Sequence, residues 1–187
     1  MTDQLARIAE KVGHRWRQLA PAGRRTPLNP PLRASAMATF EEHHEVSLPE
    51  GYRRFVLELG DGGFGPGYGL LTLEHATTMW VDEYPGHLAE PSPFKPGRSY
   101  PENWWDVFSG EDERPHPLQG SLSIVSRGCS DITLLVVSGP GRGLLVEANA
   151  DGFGMPYVHK DPDFLTWYER WLDDETGPTR AGPARTS

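Results

Sequence analysis

The feature that most constrains the fold is an almost continuous apolar segment at residues 132–137, bounded by glycines. A short run of leucine and β-branched residues is typical of a strand that is covered on both faces. Residues 139–143 follow with the glycines and proline of a turn, and residues 144–147 return as a second strand. Residues 121–125 are a further predicted strand. The chain is therefore expected to contain a mainly antiparallel sheet.

Two helices are predicted before this sheet, near the N terminus. In residues 2–19 the apolar side chains recur every three or four positions, which places them on one face of a helix: Leu5, Ile8, Val12, Trp16 and Leu19. Residues 33–44 form a second predicted helix, supported by several alanines. Met37 and Phe40 lie on its inner side.

A third helix is predicted after Pro49, which suits the first helical position because its missing N–H would have no partner there. Its apolar positions follow one helical face: Tyr52, Phe55, Val56 and Leu59. Gly60 is expected to end it at a position that tolerates a positive φ. Residues 62–69 are then a glycine-rich loop, and residues 68–73 are predicted as a strand.

The middle of the chain is broken by prolines, and regular structure is expected to resume only near its C-terminal third. Short elements are predicted near residues 77–84 and 103–108, with long loops between them. The last helix begins near Asp161 or Asp163, since either can cap it. Its inner face carries mostly aromatic residues: Phe164, Trp167, Tyr168, Trp171 and Leu172.

These elements predict one α+β domain, with helices packed on the sheet, over residues 1–175. A chain of 187 residues is long enough for one well-packed core. Its 21 glycines and 18 prolines, about a fifth of the chain, predict sizeable loops but not a low-complexity protein. Residues 176–187 lack any apolar pattern and are expected to be a disordered tail.

Charge and composition limit the classes of partner. The formal net charge of −8 argues against direct nucleic-acid binding, which needs clustered basic residues. It suits a partner with a basic surface, although it is equally consistent with a role in solubility alone. No segment has the length and hydropathy of a membrane span or a signal peptide. With Cys129 as the only cysteine, we expect a cytoplasmic protein without disulfides.

No arrangement of residues in the sequence predicts catalysis, a cofactor or a metal. The seven histidines lack metal-ligand spacing, and the glycine-rich residues 62–67 lack the lysine and serine or threonine of a phosphate-binding loop. Cys129 is expected to be a small core residue. The alternative is a nucleophilic Cys129 with His159 as its base in a polar cleft, which would make the protein a hydrolase.

The proline-broken middle region combines aromatic and acidic residues, as protein-recognition surfaces do. Two consecutive tryptophans cannot both easily face one core. The candidate partner-binding residues are Asp82, Glu83, Tyr84, Trp104, Trp105, Asp106, Glu111, Asp112 and Glu113. The alternative interpretation is that the rings anchor irregular loops to the core.

Four short motifs, in their order and spacing, resemble the SUKH superfamily of Smi/Knr-type domains. They are the Leu-Pro-x-x-Tyr helix opening at residues 48–52, the Gly-Cys-Ser-Asp strand entry at 128–131, the Gly-Pro-x-Arg-Gly turn at 139–143, and the Phe-x-x-Trp-Tyr-x-x-Trp-Leu helix at 164–172. The resemblance covers residues 48–172, which leaves residues 1–47 as an N-terminal helical extension. It implies an α+β fold with helices packed on a mainly antiparallel sheet.

The resemblance also implies a function in protein binding and brings no catalytic residues with it. Characterised members include bacterial immunity proteins that bind and neutralise toxins, often nucleases or deaminases. The expected partner is therefore a toxin with a basic surface, bound without enzymatic turnover. An alternative is a housekeeping module that binds an endogenous protein. Because binding surfaces vary within the family, no contact residue is transferred to this chain.

Overall fold

Helices and a four-stranded antiparallel sheet together give the chain an α+β architecture. The computed structural model describes residues 2–19, 27–78, 86–109 and 116–174. The helices are α1 Thr2–Leu19, α2 Ala34–His43, α3 Glu50–Glu58, α4 Leu73–Thr78, α5 Trp104–Phe108 and α6 Phe164–Asp173. The strands are β1 Ser121–Gly128, β2 Asp131–Val136, β3 Leu145–Asn149 and β4 Tyr157–Val158.

The sheet has the order β1-β2-β3-β4, and every neighbouring pair is antiparallel. Alternate side chains of β2 face opposite sides. Leu135 joins the core on one side with Leu145, whereas Ile132 and Leu134 join a second core on the other side. The prediction that this strand is covered on both faces is therefore confirmed.

The two-residue strand β4 was not predicted, because so short a segment has no detectable alternation.

Helices α1, α3, α4 and α6 contribute side chains to the core on one face of the sheet, and α3 and α6 meet through aromatic rings. Phe55 packs edge-on against Phe164 and Tyr168, with ring centroids 5.1 and 5.2 Å away. Fully burying side chains of this kind stabilises the fold by about 1.5–3 kcal/mol each. The Tyr168 hydroxyl donates to the carbonyl oxygen of Phe64 at 2.6 Å. Burial raises the pKa of this phenol above its ordinary value.

The other face of the sheet is covered by loops and by the short helix α5. Phe94 lies in the centre of this layer and contacts the rings of Tyr100 and Trp104, at centroid distances of 5.3 and 5.7 Å. These rings, with Leu118, pack on Ile132, Leu134, Val136 and Val146. Aromatic residues of the proline-broken region therefore anchor irregular loops to the sheet, as the alternative interpretation of that region proposed.

Helix α1 is held on α6 by both apolar and charged contacts. Four of the five predicted apolar positions are buried, while Leu19, at the end of the helix, is exposed. Glu169 accepts hydrogen bonds from Gln4, Arg7 and Lys11, at 3.3, 3.0 and 2.9 Å. The hydrogen bonds from Arg7, Lys11 and Gln4 lower the pKa of Glu169 to about 2, against the opposing effect of burial. The N-terminal extension thus shares one core with α3 and α6.

The predicted strand at residues 68–73 is wrong in detail. Leu70 forms only isolated bridges, with Gly63 and Val125, and α4 begins at Leu73. The Asp61 carboxylate accepts a hydrogen bond from the Leu73 N–H at 2.8 Å. A carboxylate in this position caps the new helix and ends the extended segment.

Gly60 does not have the positive φ expected of it. A β-carbon there would lie 2.6 Å from the carbonyl oxygen of Asn29 and 2.7 Å from the β-carbon of Leu28. Glycine is required because another segment of backbone approaches closely, not because of its own torsion angle. Helix α3 itself runs from Glu50, with Pro49 just before it, and buries Tyr52, Phe55 and Val56 as predicted.

Part of the prediction for residues 77–84 and all of the predicted tail, residues 176–187, lie outside the described residues. Of the helices within the described ranges, none combines the length and hydropathy that a bilayer crossing requires.

Candidate protein-binding surface

Of the nine predicted partner-binding residues, the structure describes three. Six lie outside the described residues: Asp82, Glu83, Tyr84, Glu111, Asp112 and Glu113. The other three lie on helix α5, and each has a different environment. Trp104 is 0% exposed, Trp105 is half-buried and Asp106 is exposed.

Trp104 is therefore not part of an exposed surface, which corrects its inclusion among the partner-binding candidates. The ring packs against Phe94 and Phe108 in the second core. Of the two consecutive tryptophans, only Trp105 is turned toward the outside of this layer. Its ring contacts that of His116 edge-on, with centroids 5.5 Å apart. Ser109, the last described residue before 116, also bonds to the Trp105 carbonyl oxygen.

Trp105 connects α5 to the loop that follows β3. A β-carbon at Gly152 would lie 2.7 Å from the β-carbon of Trp105, so a larger residue does not fit. The Gly152 N–H donates to the carbonyl oxygen of Asn149, at the end of β3, at 2.9 Å. Phe153 follows this contact and is 74% exposed. Helix α5 thus meets one end of the sheet beside an exposed aromatic ring.

The β1–β2 turn lies at the same end of the sheet. Its two central residues, Cys129 and Ser130, have φ values of 50° and 64°, which are unusual for residues with a β-carbon. Two-residue hairpins favour such angles because they match the twist of the strands. Cys129 is exposed, so the expectation that it is a core residue is wrong. It stands at the tip of the β1–β2 hairpin.

Asn149 ties the turn to the neighbouring loop. Its side-chain amide donates to the Cys129 carbonyl oxygen at 3.0 Å and to the Asp131 carboxylate at 2.8 Å. Its amide oxygen accepts from the Asp151 N–H at 3.0 Å. The Ser130 carbonyl oxygen accepts a further bond from the Ala150 N–H at 2.8 Å. Two exposed carboxylates are therefore held on a connected framework.

Tyr68 extends this region on the other side of the turn. Its ring lies over Gly128, where a β-carbon would be 2.9 Å from the tyrosine hydroxyl oxygen. Its N–H donates to the Ser126 carbonyl oxygen of β1 at 3.0 Å, which fixes the backbone. The side chain is nevertheless 78% exposed. A phenol ring on a fixed backbone is available to a partner with little further ordering.

We call these residues the sheet-end surface: Tyr68, Trp105, Asp106, Val107, Cys129, Asp131, Asp151 and Phe153. Apart from the half-buried Trp105, every member is exposed. The three charged members are all carboxylates. Exposed aromatic side chains beside carboxylates are suited to recognition of a protein with a basic surface.

The sequence contains a signal for the aromatic residues that were missed. Tyr68 and Phe153 each stand between two glycines, in Gly-Tyr-Gly and Gly-Phe-Gly. Glycine on both sides indicates a loop, where an aromatic ring has few neighbours to cover it. The signal is not specific, because Phe64 has the same flanks and packs against Trp16 and Trp171.

A second polar cluster lies on the helical face of the sheet and is internally paired. Glu147 accepts from Arg127 at 2.9 Å and contacts His159 at 3.1 Å. Asp161 is bonded to Arg170 at 2.7 Å. Burial opposes ionisation of Glu147, but the His159 hydrogen bond and the positive charge of Arg127 outweigh it and lower the pKa. Arg127 and Glu147 join β1 to β3, and Arg170 joins the last turn of α6 to the segment before it, so the contribution of these pairs is structural.

Metal-ligating groups do not converge in the described ranges, where no set of three or more histidine, cysteine, aspartate or glutamate side chains could hold an ion. An open groove of about 600 Å³ between α1 and α6 is lined by mixed charges, including Lys11 and Asp173. Those two residues bond to each other at 2.7 Å. The sheet-end surface is therefore the strongest candidate for a functional site.

Comparison with known proteins adds no relative: no family model matches the chain, and searches of curated proteins and of solved structures found no significant match.

Proposed function

We propose that this chain is a SUKH-like protein-binding domain that neutralises a toxin with a basic surface by binding it stoichiometrically. The observation that carries the proposal is the sheet-end surface, where exposed aromatic rings stand among carboxylates on a connected framework. In this proposal the protein acts in the cytoplasm, where it masks the toxin and requires no cofactor.

Energetic reasoning supports binding through this surface. Aromatic side chains dominate the affinity of protein interfaces, because they bury a large area at a small cost in conformational entropy. Phe153 and Tyr68 supply such rings. The carboxylates of Asp106, Asp131 and Asp151 are part of the net charge of −8, which attracts a basic partner over a distance. Aromatic residues thus supply affinity, while acidic residues favour rapid association and select the partner.

The motif resemblance supports the toxin as the kind of partner. The Gly-Cys-Ser-Asp motif at residues 128–131 is one of the four that carry it, and in this chain the motif forms the tip of the sheet-end surface. A housekeeping interaction module could use the same surface for an endogenous partner. The two functions differ in whether the protein protects cells from a toxin.

The test is to express the chain with the product of any toxin-like gene beside its own, and to measure cell survival and the dissociation constant of the complex. We expect protection and a one-to-one complex. The double variant Asp131→Lys/Asp151→Lys should weaken binding by about tenfold or more, and Phe153→Ala by a similar factor. The matched control is Glu10→Lys/Glu42→Lys, which changes the net charge equally on α1 and α2.

Cys129 offers an independent measurement, because it is the only cysteine and is exposed. A bound partner that covers the sheet-end surface should slow its reaction with a maleimide. Unchanged reactivity in a saturated complex, or equal losses in the test and control variants, would exclude this surface. Binding without protection of cells would favour the housekeeping module. A gene with no toxin neighbour would count against the immunity function.

A further inference from the structure

The two edges of the sheet differ in whether they are paired. Along β1, the segment around Leu70 covers the outer side. The Tyr68 N–H donates to Ser126 and the Leu71 N–H donates to Ile124, at 3.0 and 2.9 Å. The opposite edge is β4, the last strand in the sheet order. Within the described part of the chain, no segment pairs with its outer side.

The register shows which backbone groups this open edge presents. Val158 lies opposite Val146, and the His159 N–H donates to the Leu145 carbonyl oxygen at 2.9 Å. In an antiparallel ladder, bonded and non-bonded pairs alternate. The N–H and C=O of Val158 therefore point away from β3. On either side of it, the Pro156 C=O and the Lys160 N–H point the same way.

Exposed apolar side chains lead into this edge. Met155 is 60% exposed, and Tyr157 is also among the exposed large apolar residues. Met155 follows Phe153 of the sheet-end surface in the same loop, and Tyr157 is the first residue of β4. An extended segment laid along β4 would thus contact apolar side chains that continue directly from that surface.

We propose that the outer edge of β4 accepts an extended segment of the basic partner protein, which adds to the sheet as a fifth strand. The inference rests on the proposed function, because it specifies how the same partner is held. Strand addition obtains affinity from main-chain hydrogen bonds and specificity from the side chains beside them. Here the main-chain groups are those of Val158 and Lys160, and the adjacent side chains are Met155 and Tyr157.

Charge decides between a partner protein and a second copy of this chain. Each copy carries a net charge of −8, so edge-to-edge pairing of two copies brings like charges together. The loop before β4 carries the exposed carboxylate of Asp151. After β4, Lys160 and Arg170 are both exposed, and Arg170 is paired with Asp161. The net charge of the chain therefore attracts a basic segment and repels a second acidic copy.

The test uses the full chain and a displayed library of random peptides about ten residues long, the size of a strand with its flanks. Val158→Pro removes the outward N–H without touching the ladder to β3, a replacement that edge strands tolerate. Val158→Ala is the control, because it also removes the branched valine side chain but keeps the N–H. Thermal unfolding checks that both variants fold.

We expect the selected peptides to be basic and to slow hydrogen exchange at the Val158 and Lys160 amides. They should bind Val158→Pro at least about tenfold more weakly than Val158→Ala. If Val158→Pro does not fold, exchange protection in the unaltered chain decides the question. The inference is overturned if no peptide is selected, if these amides stay unprotected, or if both variants bind equally. A dimer that Val158→Pro dissociates would identify a second copy instead. None of these outcomes depends on the toxin experiment, so the two proposals can fail separately.

Discussion

At the scale of single residues, two glycines show how differently the same residue contributes in different surroundings. Gly13 lies within α1, and a β-carbon there would meet nothing within 4 Å. Gly60 follows α3 and is enclosed by the backbone and side chain of residues 28–29. In the sequence both stand at or near helical segments, and neither environment can be read from the neighbouring residues.

Replacing these glycines by alanine should therefore change stability in opposite directions. Gly13→Ala should stabilise the fold by about 0.5–1 kcal/mol, because alanine loses less backbone entropy in a helix. Gly60→Ala should destabilise it by about 1–3 kcal/mol, because the added methyl group collides with the Asn29 carbonyl oxygen. Urea unfolding of both variants measures the difference, and a neutral Gly60→Ala would contradict the close approach.

The tryptophan pair on α5 is a second case at this scale. The sequence predicted that Trp104 and Trp105 do not share one environment, and the structure confirms this. Which of them is buried depended on where the ring cluster around Phe94 lies. The burial of Trp104 depends on Phe94, ten positions away, and on residues of β2 in the same core. The local sequence around the two tryptophans could not predict it.

At the scale of elements, periodic segments were predicted well, and in the proline-broken region α5 confirms the short element predicted near residues 103–108. Helices α1, α2, α3 and α6 match the predicted segments closely, because a stripe repeated over several turns is a strong signal. Asp163 caps α6 by accepting from the Thr166 N–H at 2.8 Å, one of the two expected caps. The segment at 68–73 failed, because its bridges and the helix after it depend on Asp61 and Val125.

The packing of α1 on α6 leads to a prediction about pH. Glu169 has its pKa lowered to about 2 by Arg7, Lys11 and Gln4, so its contribution is fully present above pH 4.5 and is lost as pH falls toward 2. Since Arg7 and Lys11 are partly exposed, solvent screening reduces the effect, and Glu169→Gln should cost about 1–2 kcal/mol near pH 7.

The measurement is denaturant unfolding of both proteins between pH 7 and pH 2. The two stability curves should converge as the pH approaches 2. Glu58→Gln is the matched control, because its partner Arg54 lies on the same helix and the pair joins no separate elements. A constant difference between Glu169→Gln and the unaltered protein across this range would show that packing, not ionisation, is responsible.

At the scale of the whole molecule, charge and apolar exposure are distributed unevenly. Large apolar side chains are buried against both faces of the sheet, whereas several exposed ones lie at its end and along β4. The charged residues of the sheet-end surface are all carboxylates. Association with a basic partner should therefore depend on long-range attraction, while the lifetime of the complex depends on the rings.

The separate roles of the carboxylates in association and of the aromatic rings in the lifetime of the complex can be measured through the dependence of both rates on salt. Raising the ionic strength from about 0.1 M to about 1 M shortens the screening length from about 10 Å to about 3 Å. The association rate with a basic toxin should then fall about tenfold or more, with little change in the dissociation rate. In a surface-binding assay, Phe153→Ala should raise the dissociation rate and leave the association rate nearly unchanged. An association rate that ignores salt would contradict a role for the carboxylates.

Much of this protein is specified locally. Apolar periodicity established the four longer helices and the central hairpin, because burying one face of an element requires a regular spacing of apolar residues along the chain. The class of fold follows from these elements. The sheet-end surface and the open edge of β4 are different in kind. They exist because loops distant in sequence converge on one end of the sheet, and because a segment covers the β1 edge whereas none of the described residues pairs with the outer side of β4. Both features depend on contacts that no local spacing encodes.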